Sequence, residues 1–313
     1  MFLSAPIAGY PIIGRFGLGH SLLAWARCFI WCKDNGIPMV APWWRYLRVG
    51  PYLRRETDKR AYHELFQSDG YINGTRKLLY LAFAQRLPFT RAVLPDLLTK
   101  GNPTLVVFTN DIARNERHFK EIISRHADIR KELLRITRKE HIPSVNIDHR
   151  FIGIHVRCGD FRCANDIQEI KSGRNVRIQI DWYVEMLRGL RNRIGVFVPA
   201  VVFSDGSLDD LRPLLGERNV MLSVEHSAIY DMYFLSAAKV IIASGSGFSM
   251  WASFLGQTPR ICFPGQRRER LLEQSETEQE PECECSDDLD GDFVAYIASR
   301  LNPAPRPISE ISK

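Results

Sequence analysis

The chain has 313 residues, 45% of them hydrophobic and 25% charged, with a formal net charge of +6. Such a length holds a large core or two domains of about 150 residues, and the composition excludes a disordered or fibrous chain. The basic residues are scattered without any nucleic-acid-binding signature, so an anionic small ligand or an anionic membrane surface is expected before DNA or RNA.

Residues 1–13 read as a short apolar strand. Gly14, Gly17 and Gly19 read as a tight loop, followed by a buried helix from Ser21 to Lys33 that Gly36 closes. IPMVAP, residues 37–42, reads as the next strand, which makes a β–loop–α–β unit of a parallel sheet. Residues 43–75 are irregular and rich in aromatics and Arg. TLVVFT, residues 104–109, reads as a buried strand. A long charged helix is expected over 113–141, with Ile122, Ile123, Ile129, Leu133, Leu134 and Ile136 on its apolar stripe.

The alternation resumes after a linker. Strand 151–157 is followed by a polar loop and helix 181–193, then by strand 200–204, helix 207–215, strand 219–223, helix 228–238 and strand 239–243. A Ser/Gly loop, a helix over 249–256 and a strand over 259–263 come next. Residues 273–292 are acidic and poor in apolar side chains, and they read as a solvated, mobile loop. A last amphipathic helix covers 293–301. The expected domains are 1–148, an acceptor-side half, and 149–272, a nucleotide-binding half, with 273–313 as acidic loop, terminal helix and tail.

The seven cysteines lack framework spacing and read as reduced thiols, with Cys28 and Cys32 as a buried i, i+4 pair. No basic n-region and no apolar run of about 18 residues is visible. A cytoplasmic protein is expected, working in solution or at the inner face of a membrane.

Three strands of the second half deliver polar groups at their carboxyl ends, which share one edge of a parallel sheet. The first, FIGIHVRCGD, ends in His155, Arg157 and Asp160. A guanidinium stays charged and grips phosphate bidentately. The second ends in Ser204, Asp205 and Gly206, where Asp205 either accepts hydrogen bonds from a ribose or base or caps the following helix. The third runs into Ser244, Ser246, Gly247, Phe248 and Ser249, a loop suited to a diphosphate and equally to a capped turn. The Gly14–Gly19 loop spaces its glycines as G-x-x-G-x-G, which is neither a dinucleotide fingerprint nor a P-loop.

IHVRCGD resembles the HxRRxD-type motif of the fucosyltransferase superfamily, which includes α1,2-, α1,6- and protein O-fucosyltransferases. VFSDG followed by DDL resembles the donor-side segment of the α1,2-fucosyltransferase family. Asp231, Leu235, Ser236, Ser246, Phe248, Ser249 and Trp251 match that family's Asp, Leu-Met-Ser and serine-loop positions, and Gly17, Leu18 and Gly19 match its N-terminal glycine loop. Cys158 replaces the second Arg, His20 stands where Asn is usual, and Gly247 and Met250 alter the serine loop.

The resemblance implies an α/β, GT-B-like fold with two Rossmann-like halves facing a cleft. It implies inverting transfer of fucose from GDP-fucose to a glycan hydroxyl, with no required metal or other cofactor. The acceptor would be an oligosaccharide or lipid-linked glycan. Arg157 would hold the diphosphate, His155 would contact phosphate or fucose, and Asp160 is the candidate base. Asp205, Ser244, Ser246, Gly247, Phe248 and Ser249 would hold the donor, and Gly17 and Gly19 would allow close approach to the backbone. Trp43, Trp44 and Tyr46 offer an aromatic acceptor surface or core. Transfer from another nucleotide sugar, or nucleotide or glycan binding without catalysis, remains open.

Overall fold

The computed structural model describes residues 6–13, 17–44, 62–91, 102–109, 119–144, 150–159, 161–224, 226–272 and 275–301. The chain divides into two compact units. One spans 1–143 together with Ser227–Tyr230, and the other spans 144–226 and 231–313.

The first unit is built on a three-stranded parallel sheet in the order β1 (Ile7–Pro11), β3 (Thr104–Phe108), β2 (Gln85–Pro88). All five residues of β1 and of β3 are buried, as expected of strands covered on both faces. Helix α1 (Leu18–Asn35) follows β1 and ends at Gly36 in the left-handed conformation, φ 63°. It begins three residues before the expected start, so Gly19 is helical and Gly17 is the N-cap. The expected strand at 37–42 is reduced to parallel bridges, Gly9 to Met39 and Val40 to Ile72, carried by Val40 N–H to Gly9 O at 2.8 Å and Ala41 N–H to Ile72 O at 3.0 Å.

Helix α2 (Gly74–Phe83), with no counterpart in the sequence reading, sends Tyr80 into the core formed by Ala8, Val40, Leu105 and Val107. The long helix expected over 113–141 is shorter. Within the described residues it is α3 (His126–Ile136), flanked by single 3-10 turns. Thr137 turns the backbone extended, ψ 133°, and its Oγ1 donates to Leu133 O at 2.7 Å. Beyond it the chain pairs with residues 65–67, Gln67 N–H donating to Ile136 O at 2.7 Å and Arg138 N–H to Leu65 O at 2.9 Å.

The second unit holds a five-stranded parallel sheet in the order β6 (Val220–Leu222), β5 (Ala200–Ser204), β4 (Ile152–Val156), β7 (Val240–Ala243), β8 (Arg260–Cys262). The chain starts in the middle, builds to one side and then crosses to the other, so the strand order reverses between β4 and β7. Ile152, Ile154 and Val156 point to the face where helices α5 (Ile180–Ile194), α6 (Leu208–Leu215) and α9 (Gly291–Leu301) join one hydrophobic core. The opposite face meets α7 (Ala228–Ser236) and α8 (Gly247–Gly256). Gly153 is required there: a Cβ would lie 2.5 Å from Leu235 Cδ1 and 3.0 Å from Ala238 Cβ. The loop between β4 and α5 also contains a short helix, α4 (Ile167–Ser172), where only a polar loop was expected.

The acidic stretch 273–292 is not the solvated loop its composition suggests. Gln279 O accepts from Arg260 N–H at 3.0 Å, Pro281 O accepts from Cys262 N–H at 3.0 Å, and Cys283 N–H donates to Cys262 O at 2.9 Å. The segment therefore runs along β8. Glu280 is 2% exposed and pairs with Arg260, which is fully enclosed, at 2.7 Å. Its other oxygen accepts from the N–H groups of Leu271 and Leu272 at 2.8 and 3.0 Å. An acidic composition hides a carboxylate whose partners all lie elsewhere in sequence.

Candidate active site

In an open α/β sheet, ligands bind beyond the carboxyl ends of the strands where the strand order reverses. Here that place is the end of β4 beside the end of β7, and the side chains found there are His155, Arg157, Ser244, Ser246, Phe248 and Ser249. The same edge continues to Asp205 at the end of β5.

Alternation along β4 sends His155 to the α7–α8 face, one step beyond Gly153. The imidazole is buried. Its Nδ1 shares a 2.7 Å hydrogen bond with Ser244 Oγ, and its ring stacks on Phe248 with centroids 4.9 Å apart and planes within 15°. These contacts tie β4 to β7 and α8. Burial first, and then the Arg157 charge, push the His155 pKa down to about 3, while Asp205 opposes the shift. His155 is therefore a neutral hydrogen-bonding group at working pH.

This depression makes stability depend on pH. Between pH 6.5 and about 3 the unfolded chain takes up a proton at this position and the native state does not, so stability falls on acidification. In His155→Gln the loss between pH 7 and 5 should shrink by roughly 1–2 kcal/mol relative to the wild type, read from urea midpoints.

Arg157 lies just past β4 and is partly exposed. Its Nη1 is 2.7 Å from Asp205 Oδ2, while Asp205 Oδ1 accepts from Cys158 N–H at 2.7 Å. Both carboxylate oxygens thus hold the β4 loop. Gly159 permits this, since a Cβ there would lie 2.3 Å from Asp205 Oδ2. Asp205 does not cap α6. Ser207 does, in a reciprocal capping box with Asp210. Cys158 packs its thiol against Gly206, where a Cβ would come within 2.9 Å, and burial raises the thiol pKa.

The serine loop is more self-contained than a hydroxyl cradle. Ser246 caps α8, its Oγ accepting from Phe248 N–H at 3.2 Å. Ser249 is buried and donates to Ser244 O and Ser246 O at 2.9 and 3.0 Å. The anion-binding capacity of this loop therefore resides in the first-turn N–H groups of α8. Gly247 leaves that approach open, since a Cβ there would meet nothing within 4 Å.

Asp231, on α7, is a mostly buried carboxyl that accepts from Ser223 Oγ at 2.6 Å, and burial raises its pKa. Ser223 directly follows β6, which brings this pair to the same sheet edge. The sequence signal for it was only the motif position of Asp231.

Gly17 and Gly19 belong to the other unit, at the start of α1. Trp44 is buried and packs on Phe66 at 4.2 Å, while Trp43 is half-exposed. Gly14, Tyr46 and the candidate base Asp160 lie outside the described residues. Among the described residues no three His, Cys, Asp or Glu side chains converge as a metal site would need, and no helix is long and apolar enough to cross a membrane.

No curated protein matches the chain. Among solved structures, the fucosyltransferase NodZ from Bradyrhizobium is 15% identical with a TM-score of 0.49, covering 84% of this chain and 97% of its own. FUT1 of Arabidopsis thaliana, in complex with GDP, is 13% identical with a TM-score of 0.46, covering 83% and 71%. The E. coli heptosyltransferase WaaC, with ADP, is 11% identical with a TM-score of 0.46, covering 95% and 99%. At TM-scores below 0.5 these stand as likenesses alone. The family model described as glycosyl transferase family 11 matches residues 114–266. That segment, which carries β4, β5 and β7 with their strand-end loops, is similar to the glycosyl transferases of family 11.

Proposed function

We propose that this protein is an inverting glycosyltransferase of GT-B type that moves fucose from GDP-fucose to a glycan hydroxyl, without a metal ion. The observation that carries this reading is the reversal point of the five-stranded sheet. There Arg157, held by Asp205, follows the end of β4, α8 begins just after the end of the neighbouring β7, and His155 joins the two strand ends through Ser244 and stacks on Phe248 of α8.

In this reading Arg157 and the first-turn N–H groups of α8 take the diphosphate and stabilise the charge that develops as it leaves. Asp205 fixes the guanidinium rather than reading the base. The base edge falls to Asp231, whose carboxyl, steadied by Ser223, suits the paired N–H donors of guanine. His155, neutral and stacked, contacts the donor as a hydrogen-bonding group. The acceptor oxygen attacks the anomeric carbon, the carbon–oxygen bond to GDP breaks, and the hydroxyl proton passes to a base, for which Asp160 is the candidate. The first unit supplies the acceptor side. The α1,2 linkage remains the reading of the motifs.

Thermal stabilisation in the presence of EDTA tests the donor. GDP and GDP-fucose should raise the melting temperature, since a ligand at 100 times its dissociation constant stabilises by about 2.7 kcal/mol. UDP-glucose and NAD should not. Stabilisation by UDP-glucose instead would replace the donor, and none with any nucleotide would end the reading.

A further inference from the structure

Helix α2 turns Tyr80 and Leu81 toward the core and leaves a second set of apolar side chains outside. Only Lys77 and Tyr80 are buried, whereas Leu78 is 56% and Phe83 is 75% exposed, and Ala82 lies between them on the outward face. A helix normally turns its apolar stripe inward. An exposed apolar face with a cationic border marks an interfacial helix.

The exposed charges of this helix and of β2 after it are cationic. Residues 74–91 contain Arg76, Lys77, Arg86 and Arg91 and neither Asp nor Glu. Arg76 and Arg86 are exposed. Trp43 extends the face: it is 52% exposed and is fixed beside the helix by Lys77, whose Nζ lies 3.6 Å from the indole centroid. Tryptophan is favoured where an apolar phase meets water. Burial lowers the Lys77 pKa only to about 8, so it stays largely charged at neutral pH.

We infer that the outward face of α2, with Trp43 beside it, docks this protein on an anionic lipid surface. Apolar side chains enter the acyl boundary while Arg76 and Arg86 meet lipid phosphates. A soluble protein partner would have to match a face that offers cations and apolar groups with no acid, and an anionic bilayer presents that complement over any area. The inference is independent of the donor reading, because it concerns only the first unit.

Co-sedimentation with vesicles tests it. Vesicles of phosphatidylcholine with 30% phosphatidylglycerol should bind the full chain at least about tenfold more tightly than phosphatidylcholine alone, and salt should weaken the binding. The double variant Leu78→Glu, Phe83→Glu alters exposed positions and should fold as the wild type does. It should lose at least about tenfold in vesicle affinity while its stabilisation by GDP is unchanged. Tryptophan emission should shift to the blue on anionic vesicles, less so in Trp43→Phe, and stay unshifted in the double variant. Absence of binding to anionic vesicles, or equal binding by the double variant, would overturn the inference. So would a concentration-dependent dimer that the double variant abolishes without any vesicle binding.

Discussion

Replacing Arg157 with alanine is expected to lower glycosyl transfer by about 10²–10³-fold while moving the melting temperature by only a few degrees. The two effects separate because of where the residue sits. Arg157 and Asp205 are each about a quarter exposed, and ion pairs in such positions contribute little to stability. A preorganised donor facing a leaving diphosphate acts only as charge develops in the transition state, so its loss appears in turnover. Arg157→Lys keeps the charge without the rigid fork and should fall between the wild type and the alanine variant. Initial rates of GDP release from GDP-fucose, with and without glycan acceptors, provide the readout. A rate within about twofold of the wild type would remove Arg157 from the chemistry.

The largest expected effect on stability lies away from the site. Glu280→Gln should cost about 3–5 kcal/mol, measured as a lower urea midpoint. The substitution leaves the Arg260 guanidinium enclosed without its counter-charge. It can also turn an amide N–H₂ toward the N–H groups of Leu271 and Leu272, which now donate to the carboxylate. Turned the other way, with its N–H₂ toward the guanidinium, the amide would leave Arg260 only its bonds to the carbonyls of Arg267 and Glu269. Removing both charges together, as Arg260→Met with Glu280→Leu, should cost less than Glu280→Gln alone, since a buried pair is dear to break and cheap to replace by apolar groups. A single variant with wild-type stability would show that the segment after β8 does not close the sheet.

The second sheet was legible because its strands are short, β-branched runs with polar residues at their ends. Val201, Val202, Ile241 and Ile242 are buried as such runs require. The elements that escaped share one physical cause: local composition misrepresented their surroundings. Glu280 sits in an acidic stretch, yet its partners Arg260, Leu271 and Leu272 come from before it in the chain and enclose it. Helix α2 exposes Leu78 and Phe83, so its pattern does not announce a core-facing element. The helix expected up to residue 141 ends at Ile136, because Thr137 pairs with Phe66, a partner distant in sequence.

The candidate site was legible as a set of polar strand ends and less so in the contacts its side chains make. The cap of α6 is Ser207, and Asp205 is occupied by Arg157 and the Cys158 N–H. No spacing rule could assign those contacts, because the partners are brought together only by the register of β4 against β5, in which Val156 lies beside Ser204. Ser246 and Ser249 likewise spend their hydroxyls on closing the third loop, which leaves the first-turn N–H groups of α8 as the proposed anion site.

The central claim is that the ends of β4 and β7 hold a nucleoside diphosphate by its β-phosphate side. Calorimetric titration with GDP and with GMP, on the wild type and on Arg157→Ala, tests it most directly. The wild type should bind GDP at least about tenfold more tightly than GMP, a difference of about 1.4 kcal/mol, and the variant should lose most of that preference while still binding GMP. Equal affinity of the wild type for GDP and GMP, or a preference untouched by the substitution, would contradict the account.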